Sequence, residues 1–267
     1  MSYISPLLTS FVGAVKKSAS SLDRDFCELE KLQNSIRGNK NFVFNSYSRL
    51  EQNLKVELGK IRADLPIYTP NDKVVAKSYF AISPIEGLIN FAHGNPDFAV
   101  SAALIENGVL ICSVVYNPVR DETFFAEKGK GAYKEGYRSH ERLRVSSYKE
   151  LNGSLFCSTS AVDNETFEQT VRLHKNILKK TGNLRISGSV AMDLAYLAGG
   201  KFDGSVSLKN HVCSIAGGLL LVKEAGGSIR AVSQKDRRVE DLAEILNTGD
   251  LIAVNFNLNQ KVFEIFN

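Results

Sequence analysis

Residues 83–91, Ser-Pro-Ile-Glu-Gly-Leu-Ile-Asn-Phe, gather several groups that could do chemistry. A hydroxyl, Ser83, and a carboxylate, Glu86, stand three residues apart, and Gly87 follows. A glycine at the exit of a strand lets backbone N–H groups face an anion, and a helical turn after it adds its field. The same residues also spell a plain tight turn made by Pro84 and Gly87, with no chemistry in it. His211, Cys213 and Ser214 form a second cluster. A Cys/His nucleophile pair needs ring and sulfur within hydrogen-bond reach and a third group to orient the ring. Residues two apart on a helix face different sides, and no orienting acid stands nearby, so packing is the better reading of this pair. His93, His140 and His174 are read as surface residues.

The elements around these residues follow from periodicity. Leu7, Leu8, Phe11, Val12 and Val15 recur at helical spacing, as do Leu50, Leu54, Leu58 and Ile61, with a polar break expected at Arg37–Lys40. Tyr79–Ile82 is a strand leading into the 83–91 segment. Phe98–Ile105 and Val109–Tyr116 flank Asn107-Gly108 and predict a hairpin. Glu122–Ala126 and a Gly-bent strand near Gly131–Tyr133 extend an antiparallel sheet. After about Leu143 short apolar runs alternate with helical segments. Strands are expected at Leu155–Cys157, Leu184–Ser187, Phe202–Ser207 and Ile252–Asn255. Helices are expected at Glu165–Lys179, Val190–Ala198, Cys213–Glu224 and Asn259–Phe266. Such alternation predicts a mixed or parallel α/β sheet. Phe256, Phe263 and Phe266 are expected in the core.

Composition narrows the class. The 267 residues are 43% hydrophobic and 23% charged, with 20 Gly and 6 Pro, which excludes collagen-like, low-complexity and disordered chains. A net charge of +4 is too small for a dedicated nucleic-acid binder, so no direct specific nucleic-acid binding is expected. The clusters Lys128–Lys130 and Lys235–Arg238 are read as solvated loops. Cys27, Cys112, Cys157 and Cys213 form no C-x-x-C pair, which fits a reducing compartment. The apolar stretch Pro6–Val15 is interrupted by Thr9, Ser10 and Gly13, and no segment reaches membrane-spanning length. A cytoplasmic protein is expected. The chain contains no Trp.

Residues 83–91 resemble the D-P-[IL]-D-G-T-x-N-F signature of the inositol monophosphatase family. The likeness continues through Pro96–Ser101, Val115–Glu122 and Gly129–Ala132. Arg185–Gly204 is similar to the family's R-x-x-G-S-A-A-L-D-L-A-Y-V-A-x-G-x-[VF]-D-G block, and Ala216–Gly227 to the helix that follows its W-D motif. The resemblance runs from about Arg37 to the C-terminus and is strongest to the bacterial extragenic suppressor branch, SuhB. It implies a layered αβαβα fold within one domain, 1–267. An antiparallel-rich sheet is expected in the half 1–143 and a mixed α/β sheet in the half 144–267. It also implies Mg²⁺-dependent phosphomonoester hydrolysis by a carboxylate cluster.

Carried over position by position, that cluster is altered. The signature's first Asp is Ser83 and its second is Glu86, one methylene longer. The Thr that polarises water is Leu88. Cys213 and Ser214 replace Trp-Asp. Pro70 and Asn71 stand near the Glu-Glu pair, with Asp72 as a displaced carboxylate. The assisting Asp of the early loop corresponds to Asn41 or Tyr47, and the sugar-contacting acid falls near Ser207. Glu86 and the Ile85 carbonyl are the weak metal candidates that remain, and Mg²⁺ is expected to bind weakly or not at all. The Gly87, Leu88 and Ile89 amides keep a route to binding a small anion, and Gly188, Ser189 and Ala191 keep the loop bordering the substrate. The absent Trp and part of the basic excess then trace to Cys213, Ser83, Ser214 and the absent Glu pair, since restoring the acids brings +4 to about neutral.

The reading that results is a fold without phosphatase activity, acting through contacts with other molecules. By resemblance to the SuhB branch the partners are Nus factors and RNA polymerase in transcription antitermination, and the chain is a homodimer. The alternatives are a weak or altered Mg²⁺-dependent sugar phosphatase using Glu86 and Asp72, and a small-anion binder without chemistry.

Overall fold

Leu8, Phe11, Ala14 and Val15 form the buried stripe of α1 (Pro6–Ser18). Pro6 suits its first turn, and the Ser5 hydroxyl accepts from the Leu8 N–H at 3.1 Å. Helices α2 (Leu22–Leu32) and α3 (Ile36–Gly59) follow. The structure, a computed structural model, describes residues 4–32, 36–137, 139–159, 164–232 and 242–265. Lys235–Arg238 and Phe266 lie outside the described residues. The break expected at Arg37–Lys40 is corrected: α3 starts at Ile36 and runs through it. A Gly in a helix costs about 1 kcal/mol, less than the packing gained by burying Val43, Leu50, Leu54 and Leu58 along the same helix.

A seven-stranded sheet comes next, its strands neighbours in chain order: β1 (Ile67–Tyr68), β2 (Tyr79–Glu86), β3 (Ala99–Glu106), β4 (Val109–Asn117), β5 (Glu122–Glu127), β6 (Gly131–Lys134) and β7 (Glu141–Arg142). Only β1 and β2 pair in parallel. The hairpin expected from Asn107-Gly108 forms, with φ of 50° and 77° at the two residues, as a two-residue turn that follows strand twist requires. A short helix, α4 (Leu88–Ala92), follows β2 directly.

The second sheet has the order β11-β12-β10-β8-β9. Its strands are β8 (Leu155–Ser158), β9 (Asn183–Arg185), β10 (Gly204–Ser207), β11 (Ser228–Ala231) and β12 (Leu251–Val254). β8 pairs in parallel with β9 and β10, and β12 runs antiparallel to β10 and β11. Between these strands lie α5 (Asn164–Thr181), α6 (Val190–Ala198), α7 (Val212–Glu224) and α8 (Leu242–Thr248).

Strand alternation decides the layering. Phe80, Ile82, Val100, Ala102 and Leu104 face α1–α3, while Tyr79, Ala81, Ala103 and Ile105 face α6 and α7. The far side of that middle layer meets Ile229, Ala231, Leu251 and Ala253 of the second sheet. Phe156, Val206, Ile252 and Val254 turn outward beneath Leu173 and Ile177 of α5. The result is the layered αβαβα arrangement expected. No helix among the described residues is long and apolar enough to cross a membrane.

The ends of the chain depart from expectation. In place of a helix over Asn259–Phe266 there are two 3-10 turns, Phe256–Leu258 and Lys261–Ile265. The first starts where the Asn255 side chain accepts from the Leu258 N–H at 3.0 Å. Phe263 is buried as expected, whereas Phe256 is 73% exposed.

Candidate functional site

β2 delivers residues 83–86 to the wall of a cavity of about 760 Å³. Ser83 pairs with Ser101 on β3 and Glu86 with Ala99, so three steps on β2 match two on β3. That is a bulge, and Pro84, which has no N–H to give the ladder, sits inside it. Gly87 then takes φ +87°, where a Cβ would come within 3.0 Å of the Asp97 carbonyl oxygen. The chain turns there into α4. Asn90 fixes the turn, its side-chain amide donating to the Asp97 and Ser187 carbonyls at 2.6 and 2.7 Å.

The cavity brings together most of the positions singled out in the sequence. Ser83, Ile85, Glu86, Gly87 and Leu88 come from β2 and α4, Pro70 and Asn71 from the loop after β1, and Ser214 from α7. Tyr47 is there too, while Asn41 and Asp72 do not line it. Ile89, at 77% exposure, points away into solvent. The opposite wall is one face of α3, with Lys40, Val43, Phe44, Ser48 and Glu51 beside Tyr47. Sequence reasoning missed this wall. Its signal is a second helical stripe at 40, 43, 44, 47, 48 and 51, offset from the core stripe at 50, 54 and 58.

The Glu86 carboxylate is engaged elsewhere. It accepts from the Ser189 hydroxyl, from the Ala191 N–H at 3.1 Å and from the Val190 N–H at 3.3 Å. These are the cap and first amides of α6, which carry the helix's positive end. The loop expected to border a substrate thus spends its Ser189 and Ala191 donors on a side chain of the protein itself. Gly188 lies against Asn90, where a Cβ would meet the amide nitrogen at 2.8 Å. Burial pushes the Glu86 carboxyl up to about 7, against the pull of those three hydrogen bonds. Asp193, one turn into α6, is pushed up to about 8, chiefly by burial with the Glu86 and Asp97 charges adding; one of its oxygens has no hydrogen-bond partner.

The other candidates have structural partners. Asp72 accepts from the Thr69 N–H and hydroxyl, both at 2.8 Å, and these bonds hold its carboxyl below its ordinary range. The His211 ring accepts from the Cys213 N–H at 3.2 Å as the cap of α7, and the Cys213 thiol donates to the Tyr68 carbonyl at 3.2 Å. Burial pushes that thiol up to about 12, which removes it as a nucleophile near neutral pH. Ser207 is buried, its hydroxyl without a partner, away from the cavity. His93 and His140 are exposed, but His174 departs from expectation, half-buried with its ring nitrogen 2.9 Å from the Ser158 hydroxyl.

The cavity residues do not fit a pair of Mg²⁺ ions. Such ions need several anionic oxygens, and the lining offers the hydroxyls of Ser83 and Ser214, the amide of Asn71 and two carboxylates already engaged, Glu51 with Lys55 and Glu86 with the α6 amides. Among the described residues no group of three or more His, Cys, Asp or Glu side chains is placed to hold a metal ion.

Residues 9–264 match the model of the inositol monophosphatase family. An inositol-1-monophosphatase of Rhizobium meliloti is 33% identical over 228 residues, 84% of each chain. A Nus factor SuhB of Salmonella typhimurium is 30% identical over 232 residues, again 84% of each. The solved structure of extragenic suppressor protein SuhB from Bartonella henselae superposes with a TM-score of 0.80 at 27% identity, covering 98% of both chains. The chain belongs to the inositol monophosphatase family.

The Glu86 and Asp193 carboxyls set a pH dependence. A carboxyl with a raised pKa binds its proton more tightly in the folded chain, so its stabilising effect is full below the unfolded value and fades as pH rises through the folded one. The melting temperature is predicted to fall as pH rises from about 4 to about 8, the span between the ordinary carboxyl values and the raised ones of Glu86 and Asp193. Glu86→Gln, which still accepts from Val190 and Ala191 without a charge, flattens that decline. A thermal melt series across pH checks both.

Proposed function

We propose that this family member does not hydrolyse phosphate esters and that its fold serves as a scaffold for contacts with other proteins. The observation that supports this most is the position of Glu86, the one carboxylate left in the signature, which is bound to the first turn of α6. Two divalent cations about 4 Å apart repel by roughly 4 kcal/mol even at the dielectric of water, and by about four times that in a protein-like medium. Carboxylates normally offset this. Here the neighbouring groups are two serine hydroxyls, a proline ring, an asparagine amide and the Glu51 carboxylate, which is paired with Lys55. Glu86 and Asp72 cannot jointly replace the missing cluster, because each is held by its own backbone partners.

Relatives named Nus factor SuhB support a role among Nus factors, and we extend that reading to RNA polymerase as a partner, to the cytoplasm and to a homodimer. Contacts of that kind use the surface and place no demand on the cavity floor, which fits a scaffold whose ligand positions have changed.

In a phosphate-release assay on inositol 1-phosphate at millimolar Mg²⁺, the expected rate is at least ~10³-fold below that of the Rhizobium relative run alongside, since several members of one constellation differ together. A rate within tenfold of that relative contradicts the proposal. For the partner role, the tagged chain is expected to co-purify with RNA polymerase or a Nus factor from its own cells. Recovery of neither contradicts that part.

A further inference from the structure

We propose that the cavity between α3 and the β2–α4 turn binds an uncharged, largely apolar ring-containing small molecule that carries one hydrogen-bonding end. This rests on the reading that the cavity holds no metal cluster, and adds the class of ligand it takes instead. Its volume of about 760 Å³ lies within the range of small-molecule sites.

The chemistry of the walls is divided. Val43, Phe44 and Tyr47 come from α3, and Pro70, Ile85 and Leu88 from the loop after β1, β2 and α4, so both walls are lined by apolar or aromatic side chains. Phe44 is 69% exposed and Leu88 40%, so both gain from being covered. Polar groups also line the cavity. Among the described residues, the Ser83 and Ser214 hydroxyls and the Asn71 side-chain amide have no hydrogen-bond partner, and all three line the cavity. Ser83 is 3% exposed, and its hydroxyl at the cavity wall is a group that a ligand's polar end can meet.

Charge argues against a phosphate ester. Glu51 is paired with Lys55 at 2.5 Å, Glu86 is tied to α6, and Lys40 is the remaining charged side chain at the wall. A single exposed lysine does not match a dianion that would also lie near the Glu86 carboxylate. A neutral ligand meets no such conflict.

The test uses N-phenyl-1-naphthylamine, an uncharged two-ring probe with one N–H that fluoresces when taken out of water. The full chain, in EDTA, is expected to give a saturable rise in the micromolar range that inorganic phosphate and inositol 1-phosphate do not displace. Phe44→Asp is expected to weaken binding at least tenfold. Because Phe44 is largely exposed, this variant is expected to fold, and circular dichroism checks it. Phe256→Asp, at an exposed phenylalanine outside the cavity, leaves binding unchanged and controls for general surface stickiness. Ser83→Asp, which puts a charge at the cavity wall, also weakens it. No saturable signal, equal loss in the Phe44 and Phe256 variants, or displacement by inositol 1-phosphate overturns the proposal. The phosphatase assay is run separately with Mg²⁺, so turnover there contradicts the scaffold reading without bearing on probe binding.

Discussion

The bond between Glu86 and the first turn of α6 is the constraint from which the rest of the site follows. It joins β2 of the large sheet to the middle helical layer and fills the positive end of a helix with a carboxylate from the same chain. Helix N-termini attract anions through their free amides and their dipole, so a protein that uses its own side chain there leaves less for a substrate. The extra methylene of Glu over Asp supplies the reach. The bulge at Pro84 and the left-handed Gly87 then fix where the carboxylate leaves the strand.

The Glu86 carboxylate at the cavity wall is held by the amides of α6. Pro70, Leu88 and Phe44 give the cavity an apolar lining, and besides Lys40, Glu51 and Glu86 its polar groups are neutral. The arrangement is costly for a buried acid: Glu86 sits with its carboxyl raised, and Asp193 beneath it has an unpartnered oxygen. Burial of this kind destabilises the charged form. Two raised carboxyls near one helix end make this part of the fold pH-sensitive.

Much of the architecture was legible in the sequence. The Asn107-Gly108 hairpin and α6 (Val190–Ala198) follow from turn chemistry and periodicity and lie where expected within a residue. The elements that were not legible were short or broke a local rule. β1 has two residues and β7 two, too few to show a period. α3 passes through Gly38 because tertiary packing outweighs propensity. At the site, the positions of Ser83, Leu88 and Ser214 could be placed through resemblance, but the partner of Glu86 could not. Sequence names the carboxylate; which donors it meets depends on a helix about a hundred residues away. The α3 wall was missed for a related reason, since its apolar residues look like surface until a second element faces them.

The most direct test of the central claim is a crystal soaked in Mn²⁺, read by anomalous scattering. No anomalous peak is expected among Ser83, Glu86, Asn71 and Ser214, with the Glu86 carboxylate still on the Val190 and Ala191 amides. Two peaks about 4 Å apart in that space, with Glu86 swung onto one of them, would contradict it.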